Sequence, residues 1–200
     1  MKMTDPLAPV LAALGRTGRP SSDYDLNPET VLPEGSKLRA AGVLVAFDTS
    51  GPEPLLYLTK RSSHLRHHPG QISFPGGKVD PGDDGPIGAA LRESYEEIGL
   101  DPANVEVLGT REPHETVTSF LVTPVLARIK APFTPRPEAG EVAEVFTVPL
   151  SHILDLANYR VESRRWRGAR RYYYVAPYGP YYIWGATARM LRALADGMAG

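Results

Sequence analysis

The sequence predicts a mixed α/β domain in which short strands outnumber the helices. Three observations predict it. First, 200 residues that are 42% hydrophobic and 22% charged supply one sizeable core and no more. Second, 19 glycines and 20 prolines, about a fifth of the chain, call for many turns between short elements. Third, apolar runs of strand length are interleaved with only a few of helical length.

Taken in order, Leu7 to Leu14 reads as a short helix interrupted near its start by Pro9. It is far shorter than the roughly 20 apolar residues of a membrane span. Flanked only by Lys2 and Asp5, it makes a poor secretion signal, so a cytoplasmic protein without membrane contact is expected. Thr17 to Ser36, rich in Pro, Ser, Asp and Asn, reads as an extended surface segment, and residues 1–36 are expected to pack on a single domain formed by 37–200. Leu38 to Phe47 and Leu55 to Thr59 read as strands joined by the turn Asp48 to Pro54. Further strands are expected at Gln71 to Phe74, Val105 to Thr110, Ser119 to Ile129 and Val142 to Val148. Helices are expected at Ile87 to Ile98, Ser151 to Ala157 and Ala186 to Leu194, the last two after small or polar residues able to start a helix. Ile183 to Ala188 leads into that final helix, whose Met190, Leu191 and Leu194 read as core, so this part is taken as structural.

Tyr159 to Val175 interleaves arginines with aromatics, a pattern able to stack adenine or bind RNA. Its Arg167-Gly168-Ala169 turn favours an ordinary hairpin with basic edges, because aromatics commonly populate strands. Such a hairpin can still border a substrate cleft. With 22 basic and 23 acidic residues the formal charge is -1, so no global positive field exists to hold nucleic acid. The absence of cysteine removes disulfide frameworks, thiolate zinc sites and thiol nucleophiles together. Any catalysis must run on oxygen, nitrogen or a metal.

The chemistry concentrates between Phe74 and Leu100. On a helix, Glu93, Glu96 and Glu97 fall at i, i+3 and i+4 on one face, while Ile87, Leu91, Ser94 and Ile98 cluster on another. Like charges at that spacing destabilise a helix unless a cation offsets them. Hard oxygen donors suit Mg²⁺ or Mn²⁺, and Mg²⁺ keeps waters and takes substrate phosphates as remaining ligands. Arg92 can orient one of these carboxylates through its fork of donors. Gly76 and Gly77 let the preceding loop turn tightly and bring its backbone near metal or phosphate. A Glu-Glu pair alone is ordinarily a solvated face. The conjunction of glycine loop, Arg-Glu pair, two further glutamates and the stop at Gly99 sets this stretch apart.

The stretch resembles the Nudix hydrolases. Their signature is a glycine, a glutamate after five residues, then after seven more Arg-Glu-aliphatic-x-Glu-Glu-x-Gly-aliphatic. Gly77, Arg92, Glu93, Glu96, Glu97, Gly99 and Leu100 match it. Asp83 takes the first glutamate position, the following gap is one residue longer, and Ser94 replaces an aliphatic residue. The longer gap leaves the roles of Asp83 and Asp84 open. The resemblance implies an α/β/α sandwich with a mixed sheet, formed by 37–200. It also implies that Glu93, Glu96 and Glu97 bind the catalytic divalent ions.

Upstream, Lys60, Arg61, Arg66 and three histidines give a locally positive run on a neutral protein, suited to a small substrate with several phosphates. Each basic residue alone would be a surface residue. His64, His67 and His68 have no spacing that completes a zinc site. The run Leu58-Thr59-Lys60-Arg61-Ser62, then Leu65-Arg66, His68-Pro69-Gly70-Gln71 and Phe74-Pro75-Gly76-Gly77, resembles the Nudix subgroup that hydrolyses coenzyme A. Weaker similarity continues at Glu141 to Leu150 and at Ile183 to Ala188. That resemblance implies cleavage of the pyrophosphate to adenosine 3',5'-bisphosphate and 4'-phosphopantetheine. Arg61 and Arg66 are the candidates for holding phosphates, with Gln71, Gly76 and Gly77 also facing substrate.

For metal-assisted hydrolysis, a general base must reach the attacking water. Glu97, Glu141 and Glu144 are candidates, with Glu112 and Glu115 behind them. Two rival readings remain: the same machinery acting on ADP-ribose or a dinucleotide, and a non-catalytic nucleotide- or RNA-binding module on the same fold.

Overall fold

A computed structural model of the chain describes residues 5–30, 37–166 and 168–199. In chain order the elements are α1 (Ala8–Leu14), β1 (Ser21–Ser22), β2 (Arg39–Asp48), β3 (Leu55–Arg61), β4 (Ile72–Ser73), β5 (Gly76–Lys78) and α2 (Gly85–Ile98). Next come β6 (Val105–Thr110), β7 (His114–Glu115), β8 (Phe120–Ile129), β9 (Val142–Pro149), α3 (Leu150–Leu154), β10 (Arg160–Trp166), β11 (Ala169–Val175) and α4 (Ala186–Ala199).

The long β2 and β8 run parallel over ten residue pairs, from Arg39 against Phe120 to Asp48 against Ile129. Their apolar runs are buried on both faces, as strands between two helical layers must be. β1, β7, β8, β2, β3 and β4 follow one another across the sheet, with β6 on β8, β5 on β2 and β9 on β3. On one face α2 contributes Ala90 and Ile98 to a core with Leu44, Val125 and Ile129. On the other, Leu7 just before α1, Val10 of α1, Ile153 of α3 and Leu191 of α4 close over Val45, Phe47, Leu58 and Leu126. The result is the expected α/β/α sandwich around a mixed sheet. Among the described residues, no helix is long and apolar enough to cross a membrane.

Four sequence expectations change in detail. The strand expected at Gln71 to Phe74 shortens to Ile72–Ser73, and after Pro75, which offers no N–H, and Gly76, at φ +147, a separate unexpected strand forms at Gly76–Lys78. The helix expected at Ser151 to Ala157 ends at Leu154, where the Asp155 carboxylate accepts from the Ala157 N–H and opens a separate 3₁₀ turn. The segment 17–36, expected to lie extended on the surface, buries Ser21, which pairs with His114 through parallel β1 and β7. Residues 31–36 lie outside the described residues. The fully buried His114 ring bridges Ser21 Oγ at 2.9 Å and Asp23 Oδ1 at 3.1 Å, so polar groups tie this segment down. Finally, Ile87 stands 37% exposed, while the buried stripe of α2 is Ala89, Ala90, Ser94, Glu97 and Ile98.

The expected hairpin is present: β10 and β11 pair antiparallel from Arg160 against Val175 to Trp166 against Ala169, as a sheet of their own. The turn residue Arg167 lies outside the described residues.

Candidate active site

The site grows from a split in the sheet. β2 pairs with β3 only at its end, through Phe47 with Leu56 and Asp48 with Leu55. Its first half pairs instead with β5, through Ala41 with Lys78, Gly42 with Gly77 and Val43 with Gly76. The glycine loop is thereby hydrogen-bonded into the sheet edge beneath α2. A Cβ on Gly76 would lie 2.4 Å from the Gly42 carbonyl oxygen, and one on Gly77 would lie 2.5 Å from Glu93 Oε1. Only glycines allow the loop this close to both the sheet and the carboxylate.

Arg92 organises the helix face. Its Nε and Nη2 donate to the two oxygens of Asp83 at 2.9 and 3.0 Å, a bidentate pair. Nη1 donates to Glu93 Oε1 at 2.9 Å and to Glu96 Oε2 at 3.1 Å, and Nη2 also reaches the Lys78 carbonyl at 3.3 Å. The Arg92 fork and the Asp80 N–H hold the Asp83 carboxyl at a pKa of about 2. Asp83, whose role the sequence leaves open, is thus the anchor of Arg92. Ser94 sits in the buried stripe at no polar cost, since its hydroxyl donates to the Ala90 carbonyl at 2.6 Å.

Glu97 behaves differently from its neighbours. It is 5% exposed, beneath the glycine loop, and accepts the Gly76 N–H at 3.1 Å. Burial pushes its pKa up to about 7, with the charges of Glu93 and Glu141 adding to the rise. The Gly76 N–H and the Arg61 charge oppose it. Of the three glutamates expected on one acidic face, then, Glu97 is in the core stripe, Glu93 is half-buried beside it, and Glu96 is exposed and turned toward Arg92.

Among the described residues, no three His, Asp or Glu side chains converge into a ready cation cage. Two of the carboxylates, Glu93 and Glu96, are already paired with Arg92. The donor chemistry still fits a hard divalent ion. Glu97 is a buried carboxylate with a single N–H donor, repelled by two other carboxylates, and oxygen-seeking Mg²⁺ or Mn²⁺ is what would keep it ionised.

Glu141 approaches from the other side, placed by the Ser62 N–H, which donates to its backbone carbonyl at 2.8 Å. The remaining glutamate candidates are engaged elsewhere. Glu144 accepts the Tyr181 hydroxyl, Glu112 accepts the Gly18 N–H and pairs with Arg111 at 3.0 Å, and Glu115 lies in β7.

Arg61, at the end of β3, and Gln71 line a cavity of about 390 Å³ that opens beside the glycine loop through Val43, Ser73 and Phe74. Arg66, His64 and His67 are exposed on the preceding loop and do not reach this cavity, whereas His68 on the same loop lines it. Its far wall is Arg164, Arg171, Tyr172 and Tyr173 of the hairpin together with Trp184. Sequence reasoning takes the segment around Trp184 as structural, and Ile183 and Leu191 are indeed core. Trp184 itself faces the cavity. The alternation of Arg and Tyr in the hairpin was the one signal pointing there.

A family model described as NUDIX domain matches residues 36–167. The chain is 43% identical over 157 residues to the uncharacterized Nudix hydrolase NudL of Enterobacter sp. strain 638, covering 78% of this chain and 81% of that protein. It is 40% identical over 174 residues to NudL of Salmonella heidelberg, covering 87% and 90%. Among solved structures, it is similar to a Caenorhabditis elegans Ap4A hydrolase binary complex, at 23% identity and TM-score 0.49, covering 56% of this chain and 80% of that one. The chain belongs to the Nudix family of hydrolases.

Proposed function

We propose that the chain hydrolyses the pyrophosphate bond of coenzyme A or its derivatives, yielding adenosine 3',5'-bisphosphate and 4'-phosphopantetheine. The observation that carries this reading is the position of Arg61. It is continuous in sequence with the glycine loop, lines the cavity beside it, and acts electrostatically on Glu97. One guanidinium therefore connects the reacting end of the site to a cavity large enough for half of a dinucleotide-sized substrate, within the roughly 300–1,000 Å³ usual for ligand sites.

Glu93, Glu96 and Glu97 would hold Mg²⁺ or Mn²⁺. When bound, the ion neutralises pyrophosphate oxygens and lowers the pKa of an attacking water. Arg92 keeps Glu93 and Glu96 in place through its Asp83 anchor. The Gly76 N–H fixes Glu97, and the Gly76–Gly77 backbone leaves room for phosphate oxygens. Glu141, near enough to repel Glu97, is the base that accepts the water's proton as the water oxygen bonds to one phosphorus and the bridging P–O bond breaks. Arg61 holds a substrate phosphate and Gln71 orients the substrate at the cavity mouth, while Arg66, exposed on the loop between them, is left to meet a phosphate outside the cavity. The substrate is a small molecule from the cytoplasm, with no role for nucleic acid.

The test is mass-resolved product analysis with Mg²⁺ or Mn²⁺ and, separately, coenzyme A, ADP-ribose, a dinucleotide and a nucleoside triphosphate, with Glu97→Gln as control. Adenosine 3',5'-bisphosphate from coenzyme A, lost in the variant, is the expected result. Preferential cleavage of ADP-ribose or a dinucleotide would overturn the substrate while keeping the hydrolase. No turnover of any substrate would leave a binding module.

A further inference from the structure

The cavity between the sheet and the β10–β11 hairpin has a composition that the hydrolytic machinery does not require. Among the described residues three arginines have a buried Nε with no hydrogen-bond partner, and two of them, Arg61 and Arg171, line this cavity, the third being Arg128 elsewhere. A buried N–H of a charged group without an acceptor is destabilising and calls for an explanation, and two at one cavity point to an acceptor that enters it. Arg171 is held in place by its Nη1, which donates to Thr30 Oγ1, so its guanidinium cannot simply swing to water. Across the cavity the Trp184 ring meets Tyr173 edge-on at 5.3 Å and 63°. Arg164 lies over the Trp184 face at 4.5 Å. The hairpin backbone is locked independently, because Asn27 bonds both the Tyr172 N–H and the Tyr172 carbonyl at 2.9 Å. The wall is therefore the Trp184 ring, braced edge-on by Tyr173 and covered by the exposed Arg164, with two guanidinium Nε donors beside it.

We propose that this cavity seats the nucleoside half of the substrate. The purine stacks on Trp184 under Arg164, Arg171 receives a phosphate on the ribose, and Arg61 receives the phosphate nearest the scissile bond. This deepens the coenzyme A reading and rests on it for the ribose phosphate. Planar rings stack on aromatic and guanidinium faces whatever their edge pattern. A pantetheine arm has amide and hydroxyl acceptors but neither a planar ring to lie on Trp184 nor a ribose phosphate for Arg171, so the nucleotide is the half that fits. The hairpin then sets specificity, since it lies outside the carboxylate helix and its loop.

The experiment uses the full chain without divalent ion, carrying Trp166→Phe so that Trp184 is the sole tryptophan. Its fluorescence is titrated with 5'-AMP, adenosine 3',5'-bisphosphate and 4'-phosphopantetheine. Expected are quenching by both nucleotides, tighter binding of the bisphosphate, and no response to 4'-phosphopantetheine. Arg171→Gln should remove the bisphosphate advantage while leaving 5'-AMP unchanged. Trp184→Leu, read by calorimetry, should weaken both nucleotides about tenfold. Since Trp184→Leu can perturb folding, the exposed Arg164→Ala is the second variant, expected to weaken both by a smaller factor with the melting temperature within a few degrees of wild type. Equal binding of the two nucleotides would sink the ribose-phosphate assignment but keep the nucleoside pocket, and the coenzyme A reading would still be decided by the product assay. Response to 4'-phosphopantetheine alone, or to nothing, would overturn the pocket whatever the product assay shows.

Discussion

Arg92 and Arg171 are the same residue type in opposite circumstances. Every guanidinium nitrogen of Arg92 donates to a protein oxygen, four of those five bonds going to carboxylates. Arg171, like Arg61, keeps a buried Nε with no acceptor among the described residues. The first arrangement is complete without substrate and serves to hold other groups still. The second is incomplete and becomes satisfied only when an acceptor arrives. A preorganised reacting centre beside an unsatisfied recognition wall is what an enzyme needs when the chemistry is fixed and the substrate must be chosen.

The largest effect expected at the preorganised end is from Glu97→Gln. The amide keeps an oxygen for the Gly76 N–H and loses only the charge. Initial rates should fall about 10²–10⁴-fold, the usual range for losing a proton-handling or ligand carboxylate. The melting temperature should hold or rise, because a poorly solvated charge is removed from the interior. A variant within tenfold of the wild-type rate would show that the reaction does not run through this carboxylate.

The same residue predicts a pH dependence. The Glu97 pKa is about 7 folded against 4.5 unfolded, so folding takes up a proton between those values. Its contribution is fully present below about 4.5 and is lost as pH rises through about 7. The cost on ionisation is on the order of 3 kcal/mol for a shift of this size. Other groups titrate over the same range, so the measurement is a difference: denaturant midpoints of wild type and Glu97→Gln from pH 4 to 8, without divalent ion. The variant's advantage should widen with pH, and Mg²⁺ or Mn²⁺ should narrow it by stabilising the wild type. A constant difference would mean that Glu97 is not the buried acid described.

Arg92→Lys tests the anchor. Lysine supplies one charge and no fork, so it cannot hold Asp83, Glu93 and Glu96 together. Activity should fall about 10–100-fold, as for other groups that orient metal ligands. Asp83, no longer held at a pKa of about 2, should titrate closer to 3.8. In the wild type its stabilising contribution is present above that ordinary value and is lost as pH falls through about 2, so the variant should unfold at a higher pH on acidification.

These two regions were not equally legible in the sequence. The elements built on local patterns came through with small boundary changes: α2 starts two residues earlier than Ile87, with Pro86 in its first turn, and β6 is as expected. What failed was set by contacts distant in sequence. Asp83 lies nine residues before Arg92, a separation that has no meaning until the loop folds back. Glu97 reads as one of three acidic neighbours, and nothing local says that the loop twenty-one residues earlier will cover it. Ser21 looks like a loop serine, and only β7, ninety-three residues on, makes it a buried partner of His114. Trp184 escaped for the same reason, because its wall is completed by a hairpin of separate register.

The smallest expected effect separates the two regions most cleanly. Arg164 is exposed, and its contact is with the faces of Trp184 and Tyr173, at 4.5 and 6.0 Å. A cation over an aromatic ring at such a site contributes about 0.5–1 kcal/mol, so Arg164→Ala should change stability by no more than that. Because it touches none of the carboxylates, kcat should stay within twofold, roughly 0.4 kcal/mol, while KM for the nucleotide substrate rises. A fall in kcat at unchanged KM would instead join the hairpin to the reacting centre and erase the division between a fixed chemistry and an adjustable wall.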